Sequence, residues 1–316
     1  MRRHLVAAIA ALGIGATALP AQAQDFINVL TGGTSGVYYP LGVALSNIYG
    51  KALPKAKVTV QATKASVENL NLLQQGKGEI AFTLGDSLSD AWKGVEDAGF
   101  KTKLAKLRAI APVYPNYIQI VASADSGIKS IADLKGRRVS VGAPKSGTEL
   151  NARAILKAAG LSYADLGKTE YLPFGESVEL MKNRQLDATL QSAGLGVASI
   201  RDLATSIAIT VVAVPAETVA KVGDSAYVAV NIPAGTYKGQ DQDVATAAIV
   251  NYLVTHEGVS TDAVYTMTKA MYDNLPELTA AHAAAKAINR ADAAGEYPVP
   301  LHPGAEKYFK EVGVRK

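Results

Sequence analysis

Two hydrophobic periodicities alternate along the N-terminal part of this 316-residue chain. Residues 26–30, 58–62 and 80–84 are short runs rich in apolar and β-branched side chains, typical of strands. Residues 40–49 and 67–75 carry apolar side chains three and four positions apart, typical of amphipathic helices. A chain that alternates strands with helices folds into an α/β architecture with mainly parallel sheets.

The alternation returns after residue 117 and gives way to a helical pattern near the C-terminus. Further strands are predicted at residues 118–122, 138–141, 171–174 and 186–190. Further helices are predicted at residues 131–136, 149–159 and 176–185. From about residue 241 the pattern predicts helices at 244–255, 262–274 and 279–289. We expect these last helices to return to the first part of the fold.

Two segments of similar order indicate two similarly built lobes. Residues 68–82 and 176–189 both run from a helix through a polar turn and an acidic residue into an apolar strand. Ordinary strand-helix-strand units have the same order of elements and could also produce this similarity. Extended segments at 117–123 and 227–232 could carry the chain between lobes. The predicted limits are 24–117 with 229–316 for lobe I and 118–228 for lobe II.

The first 23 residues have the layout of a cleaved signal peptide. Arg2 and Arg3 precede an apolar run of about fifteen residues, and Ala21 and Ala23 frame a small-x-small cleavage site. That run is short for a span of roughly 30 Å of hydrocarbon. Removal of residues 1–23 takes away Arg2 and Arg3 and leaves 32 − 2 = 30 basic against 28 acidic side chains. These charges are scattered along the chain, so nucleic acid is not an expected partner.

The sequence contains no cysteine, which excludes disulfides, a thiolate metal site and an anchor on an N-terminal lipidated cysteine. We therefore expect a protein that is free in the periplasm and held together by its core. We also expect it to be a monomer.

Three loops follow predicted strands, carry hydroxyl groups and open predicted helices. The first helical amides lack internal partners and lie at the positive end of the helix dipole, so a carboxylate or phosphate binds there readily. In an open α/β sheet such loops gather at the carboxyl ends of the strands. The three loops are residues 31–38, residues 63–66 and residues 144–148.

Each loop also has a purely structural interpretation. Ser146 and Glu149 have the spacing of a capping box, and Ser66 can be an ordinary N-cap. The three loops together, in an exported two-lobed protein, favour a binding site. Lys64 and Lys145 stand in two of the loops, where each could face either solvent or the cleft.

Catalytic alternatives find little support in the sequence. Residues 142–147 have the spacing of a phosphate-binding loop, but Thr148 and Glu149 stand where Lys and Ser or Thr are required. The mature histidines are far apart, no metal-ligand spacing is present, and no cofactor is expected. Asp86 and Glu68 could form a carboxylate pair, for which hydrogen-bonding roles are the simpler interpretation.

Aromatic residues give a weak indication of ligand class. Trp92 is the single tryptophan, which argues mildly against a sugar ligand. Tyr38, Tyr39 and Tyr114 remain available for polar or stacking contacts.

Four stretches together resemble the TAXI family of solute receptors of TRAP transporters, which includes immunogenic periplasmic proteins of this size. The likeness covers essentially the whole mature chain, and the first and last stretches are the most diagnostic. The stretches are residues 31–40 (TGGTSGVYYP), 66–70 (SVENL), 133–136 (DLKG) leading to 146–148 (SGT), and 300–309 (PLHPGAEKYF).

The resemblance implies a type II periplasmic-binding-protein fold, with two α/β lobes joined by a two-strand hinge and a ligand in the cleft. It also implies a permease driven by an ion gradient, and a small C4–C5 carboxylate ligand such as glutamate or 2-oxoglutarate. Contacting residues carried over by motif are Thr34, Ser35, Gly36, Tyr38, Ser66, Asp86, Ser146, Gly147 and Thr148. To these we add Lys64, Tyr114 and Lys145 as candidate ligand-binding residues.

The sequence departs from the family pattern at three places. Lys64 and Ala65 stand where the family often has glycine, Lys145 replaces a small residue, and Asn116 replaces a common acidic residue. These departures concern the ligand and leave the fold class unchanged. Two alternatives stay open: a binding protein of an ATP-driven importer, and a periplasmic enzyme or sensor on the same fold.

Overall fold

The computed structural model describes residues 26–316, so the predicted signal peptide lies outside the described residues. Within this range the chain forms ten strands. In chain order they are β1 (Phe26–Leu30), β2 (Lys57–Gln61), β3 (Ile80–Leu84), β4 (Leu107–Ser123), β5 (Arg138–Ser140), β6 (Lys168–Glu170), β7 (Ala188–Ala193), β8 (Ile209–Val212), β9 (Val228–Ile232) and β10 (Val244–His256).

Ten α-helices occur in the same described range. They are α1 (Tyr38–Ala52), α2 (Ser66–Gln74), α3 (Gly85–Lys93), α4 (Gly147–Ala158), α5 (Phe174–Lys182), α6 (Ala198–Ser206), α7 (Ala216–Val222), α8 (Thr261–Asp273), α9 (Leu275–Ala281) and α10 (Pro303–Glu311). Strands and helices alternate as the sequence indicates, which confirms the α/β fold class.

All ten strands belong to one hydrogen-bonded sheet, whose main path runs β2-β1-β3-β10-β4-β7-β5-β6. The outer strands pair in parallel on each side, β1 with β2 and β3, and β5 with β6 and β7. The two central strands, β4 and β10, are long and antiparallel to each other. The sheet is therefore two parallel halves joined through two long strands.

The strands β4 and β10 form the hinge of a two-lobed fold. β10 pairs with β9 through Val244–Ala248 and with β3 through Asn251–Val254, so it crosses from one half of the sheet to the other. β4 crosses in the opposite direction, pairing with β7 through Tyr117–Ala122. We call the half with β1 to β3 lobe I and the half with β5 to β8 lobe II.

Two predictions about the hinge region need correction. Residues 244–255, for which the sequence predicts a helix, form β10, because a long apolar run with many β-branched residues fits a buried central strand. The return crossing is made by β10, whereas Val228–Ile232 forms β9 beside it. The predicted lobe limits stay a prediction, since β4 and β10 each belong to both lobes.

Two further elements differ from the sequence prediction. The sequence predicts a strand at residues 171–174, but β6 ends at Glu170 and Phe174 opens α5 directly after Pro173. Residues 279–289 do not form one helix, because α9 ends at Ala281 and the extended backbone of His282 (φ −157°) precedes a separate 3-10 helix.

Apolar side chains pack on both faces of the sheet. In lobe I, Leu41 and Tyr49 of α1 pack in one core with Met267 of α8 and Phe309 of α10, so the C-terminal helices return to lobe I as expected. Lobe II has a separate cluster that includes Ile155 of α4.

Candidate functional site

A cavity of about 100 Å³ lies between the two lobes, at the carboxyl ends of the parallel strands. It is many times the roughly 10–15 Å³ that one water requires and well below the roughly 300 Å³ where drug-sized pockets begin. Its walls come from loops of both lobes and from β4 and β7 of the sheet. The lining is Gly32, Gly33, Gly36, Val37, Tyr38, Thr63, Lys64, Ala65, Ser66, Leu84, Tyr114, Asn116, Ala143, Ser146, Gly147, Thr148, Pro173, Phe174, Ser192 and Ala193.

Four helices begin at this cavity. Lobe I supplies α1 and α2, which open at Tyr38 and Ser66, and lobe II supplies α4 and α5, which open at Gly147 and Phe174. The first-turn amides of a helix lack internal acceptors and carry a partial positive charge. Convergence of four such ends gives the cavity a positive potential suited to an anion.

A residue close to the start of each of two helices has strained backbone. Ala65, before α2, has φ 72° and ψ −144°, and Lys145, near the start of α4, has φ 62°. Such values favour glycine and cost an ordinary residue about 1–3 kcal/mol. The first turn of α2 meets Lys145 across the cleft, where the Glu68 amide donates a hydrogen bond to the Lys145 carbonyl at 3.1 Å.

A buried hydrogen-bond network forms the floor of the cavity. The side-chain amide of Asn251 on β10 donates to the Tyr114 carbonyl at 2.7 Å and to Asn116 Oδ1 at 2.8 Å, while its oxygen accepts from the Tyr38 hydroxyl. Asn116 Nδ2 in turn donates to the Ser192 carbonyl at 2.9 Å. The network joins α1 to both hinge strands and to β7, and so fixes the floor where the lobes meet.

Two hydroxyl groups of the lining have no hydrogen-bond partner among residues 26–316. They are the Tyr114 hydroxyl on β4 and Ser192 Oγ on β7, in side chains that are 1% and 5% exposed. A buried polar group without a partner costs about 1–3 kcal/mol, so the structure carries this cost at two residues of the cavity wall. Burial also raises the pKa of Tyr114 well above its ordinary value, which keeps the hydroxyl neutral.

The structure brings most of the predicted site residues together. Those that line the cavity are Gly36, Tyr38, Lys64, Ser66, Tyr114, Ser146, Gly147 and Thr148. Thr34 is exposed outside the lining, and Ser35 instead faces α5, since a Cβ built on Gly175 would lie 3.4 Å from Ser35 Oγ. The Lys145 side chain is exposed and also lies outside the lining.

The two serines with structural interpretations differ in role. Ser146 is the N-cap of α4, and its hydroxyl accepts from the Glu149 amide at 3.1 Å. The Glu149 carboxylate does not complete a capping box, because it pairs with Arg153 at 2.8 Å. Ser66 lies inside the first turn of α2, where its hydroxyl accepts from the Leu84 amide at 3.1 Å instead of capping the helix.

Several lining residues were missed by sequence reasoning. Pro173 and Phe174 were missed because residues 171–174 have the composition of a strand. The proline just before an amphipathic run is nevertheless a signal of a helix start. Ser192 and Ala193 end β7, and nothing in their local sequence distinguishes them from other strand residues.

A protein-family model covers nearly all of the described fold and the whole site. Residues 29–313 match the model described as the NMT1-like family. The chain belongs to the NMT1-like family. The match includes both lobes, the hinge strands and every residue that lines the cavity.

Solved structures share the fold of this NMT1-like protein at low sequence identity. A periplasmic transporter matches with a TM-score of 0.55 and 13% identity, over 93% of this chain and 94% of that one. A protein from Bordetella bronchiseptica matches with a TM-score of 0.53 and 18% identity, over 92% of this chain and 89% of that one. A protein named as an L-cystine ABC transporter of Listeria monocytogenes matches with a TM-score of 0.52 and 17% identity, over 84% of this chain and 98% of that one. The predicted type II periplasmic-binding-protein fold is confirmed.

A second contact between the lobes of this NMT1-like protein lies outside the cavity. Asp86, in the first turn of α3, accepts hydrogen bonds through Oδ2 from Asn151 Nδ2 at 2.6 Å and from the Tyr227 hydroxyl at 2.9 Å. We call these three residues the interlobe latch. Asp86 borders a separate groove of about 660 Å³, so the structure places this predicted site residue away from the cavity.

The latch carboxylate is buried without an ion-pair partner within the described residues. Burial raises the pKa of Asp86 to about 6, and the nearby carboxylates of Asp90 and Asp224 act in the same direction. Hydrogen bonds from Tyr227 and from the Ser87 amide at 2.6 Å favour the charged form and so act to lower this pKa. The two lobes are therefore joined through a carboxyl group whose pKa is raised above its ordinary value.

Two further observations concern the chemistry open to this NMT1-like protein. Across residues 26–316, no cluster of three or more His, Cys, Asp or Glu side chains is placed to hold a metal ion. No helix in that range has both the length and the apolar character needed to cross a bilayer.

Proposed function

We propose that this protein is a solute-binding receptor that captures a small organic anion between its lobes. The observation that carries the proposal is the convergence of four helix N-termini, two from each lobe, on one cavity. Lys64 adds a full positive charge at the cavity rim. Micromolar affinity requires about 8 kcal/mol, which a few charge-assisted hydrogen bonds at about 1.5–3 kcal/mol each can supply.

The ligand class we propose is a C4–C5 carboxylate such as glutamate or 2-oxoglutarate. The cavity volume suits a molecule of this size. An anion is favoured over a neutral sugar because the helix ends and Lys64 make the walls electropositive, and because no tryptophan lines the cavity within residues 26–316. We assign the protein no enzymatic activity, no cofactor and no nucleic-acid partner.

The transporter partner we propose is a TRAP-type permease, driven by an ion gradient, with this chain as its TAXI-type receptor. The support is the sequence resemblance over residues 31–40 and 300–309. The alternative is an ATP-driven importer, whose binding proteins share this fold, as the Listeria protein illustrates. A permease gene or an ATPase gene beside the coding sequence would separate the two.

The location we propose is the periplasm, where a monomeric receptor without an anchor would remain after cleavage following Ala23. Mass spectrometry of the intact secreted protein would show whether its mass corresponds to residues 24–316.

Small carboxylates should stabilise the protein against heat. A ligand at a hundred times its Kd adds about 2.7 kcal/mol, which for a protein of this size raises the melting temperature by roughly 5 °C. Differential scanning fluorimetry with mono- and dicarboxylates, and with neutral sugars as the comparison, measures the change in melting temperature. Stabilisation by a sugar with no response to any carboxylate would contradict the proposal.

The two loop lysines should differ in their effect on carboxylate binding. Lys64 lines the cavity, so Lys64→Ala should weaken binding about fivefold, corresponding to the roughly 1 kcal/mol of a partly exposed ion pair. Lys145→Ala should bind like the parent because that side chain is exposed outside the lining. Calorimetric titration decides the matter, with Lys57→Ala on the exposed strand β2 as control. Equal losses for all three variants would indicate a general charge effect.

A further inference from the structure

We infer that the cavity selects carboxylates that carry no ammonium group, so that a 2-oxo or 2-hydroxy acid binds far more tightly than the corresponding amino acid. The inference rests on the proposed function and narrows its ligand class. It follows from which charged groups reach the cavity and from the two hydroxyls that lack partners.

The charges of the cavity are all of one sign. Lys64 is the only charged side chain in the lining formed by residues 26–316, and the four helix ends add positive potential. An amino acid would bring its ammonium group into this field. A buried cation needs a nearby carboxylate to offset its lost hydration, and this lining contains none.

Two carboxylates that lie close in sequence to lining residues are already engaged. Glu68 accepts the Lys64 backbone amide through Oε2 at 2.5 Å, at the start of α2. Asp86 belongs to the interlobe latch, where its Oδ2 accepts hydrogen bonds from Asn151 and Tyr227. Neither side chain lines the cavity, so neither is placed to meet an ammonium group.

The unpartnered hydroxyls fit a neutral oxygen instead. The Tyr114 hydroxyl and Ser192 Oγ lie on adjacent strands, β4 and β7, and each is able to donate a hydrogen bond. A keto or hydroxyl oxygen beside the carboxylate would accept those protons and remove the cost of leaving them unpaired. Tyr114 and Ser192 are thus assigned as specificity-determining residues for the second polar end of the ligand.

The first test compares ligands that differ in one group. Isothermal titration calorimetry with 2-oxoglutarate, glutarate and glutamate should give the tightest binding for the oxo acid and at least tenfold weaker binding for the amino acid. Glutamate binding as tightly as the oxo acid would overturn this inference and leave the anion receptor intact. A carboxylate panel without any binder would overturn the proposed function itself, and the inference with it.

The second test removes only the hydroxyl. Tyr114→Phe should weaken 2-oxoglutarate binding about tenfold, about 1.4 kcal/mol, while glutarate binding changes little. Ser192→Ala should act in the same direction. Tyr49→Phe is the matched control, because the Tyr49 hydroxyl is also buried and unpartnered within residues 26–316 but lies in α1 away from the cavity. Equal losses for 2-oxoglutarate and glutarate in Tyr114→Phe would overturn the assignment.

Discussion

Replacing Gly147 by alanine should weaken ligand binding by about ten- to a hundredfold without unfolding the protein. Gly147 is the first residue of α4 in lobe II, and it touches lobe I across the cleft. A Cβ at this position would lie 2.6 Å from Leu84 Cδ1 and 2.7 Å from Ser66 Oγ. Overpacking of this kind costs about 1–3 kcal/mol, and the cost falls on the closed state because both neighbours belong to the other lobe.

Calorimetric affinity and small-angle scattering together test the Gly147→Ala prediction. The parent should become more compact on adding saturating carboxylate, and the variant should do so less. Gly50→Ala is the control, since a Cβ on that residue of α1 would meet nothing within 4 Å. Unchanged affinity in Gly147→Ala would mean that binding does not require the lobes to meet as closely as they do here.

The sequence predicts the architecture of this protein better than it predicts the hinge. Local periodicity suffices for α1, α2 and α8, because each buries one face against the sheet. It fails for β10, which has burial on both faces in its centre and therefore lacks the alternation of an ordinary strand. Only the pairing of β10 with β3, β4 and β9 decides its conformation, and that pairing joins residues far apart in the chain.

The candidate site likewise has one part that the sequence predicts and one part that it does not. Loops that open helices are predictable, since glycine and hydroxyl residues before an amphipathic run indicate a helix start wherever the helix lies. The strand residues that face those loops are not predictable, because Ser192 reaches the cavity only through the order of strands in the sheet. Asp86 follows β3 as a ligand-binding residue could, yet it accepts its hydrogen bonds from Asn151 and Tyr227, a contact that no local pattern encodes.

Closure of the lobes should depend on pH through the interlobe latch. In the latch the pKa of Asp86 is raised to about 6, against roughly 3.9 for a solvated aspartate. Opening the lobes separates α3 from Asn151 and Tyr227 and restores the ordinary pKa. A raised pKa means that the closed form holds the proton more tightly, so this contribution to closure is fully present below about pH 4. It is lost as the pH rises through 6.

Ligand affinity should accordingly rise by about tenfold between pH 7 and pH 5, because the closed form takes up a proton over this range and the open form does not. Asp90 and Asp224 face the same groove as Asp86, as do Arg153 and Lys221. The two carboxylates favour the protonated form of Asp86. Titration calorimetry in matched buffers at constant ionic strength measures the change.

Asp86→Asn should bind at pH 7 as the parent does at pH 5, and its affinity should vary little between these values. The new amide has no proton to gain, and Asn151 Oδ1, buried and unpartnered within residues 26–316, offers it an acceptor. Asp86→Ala should instead weaken binding at both pH values, because it leaves the donors of Asn151 and Tyr227 unpaired at a cost of about 1–3 kcal/mol. Asp90→Asn is the control that removes a neighbouring acid and keeps the latch. A pH dependence that survives in Asp86→Asn would contradict this prediction and locate the titrating group elsewhere.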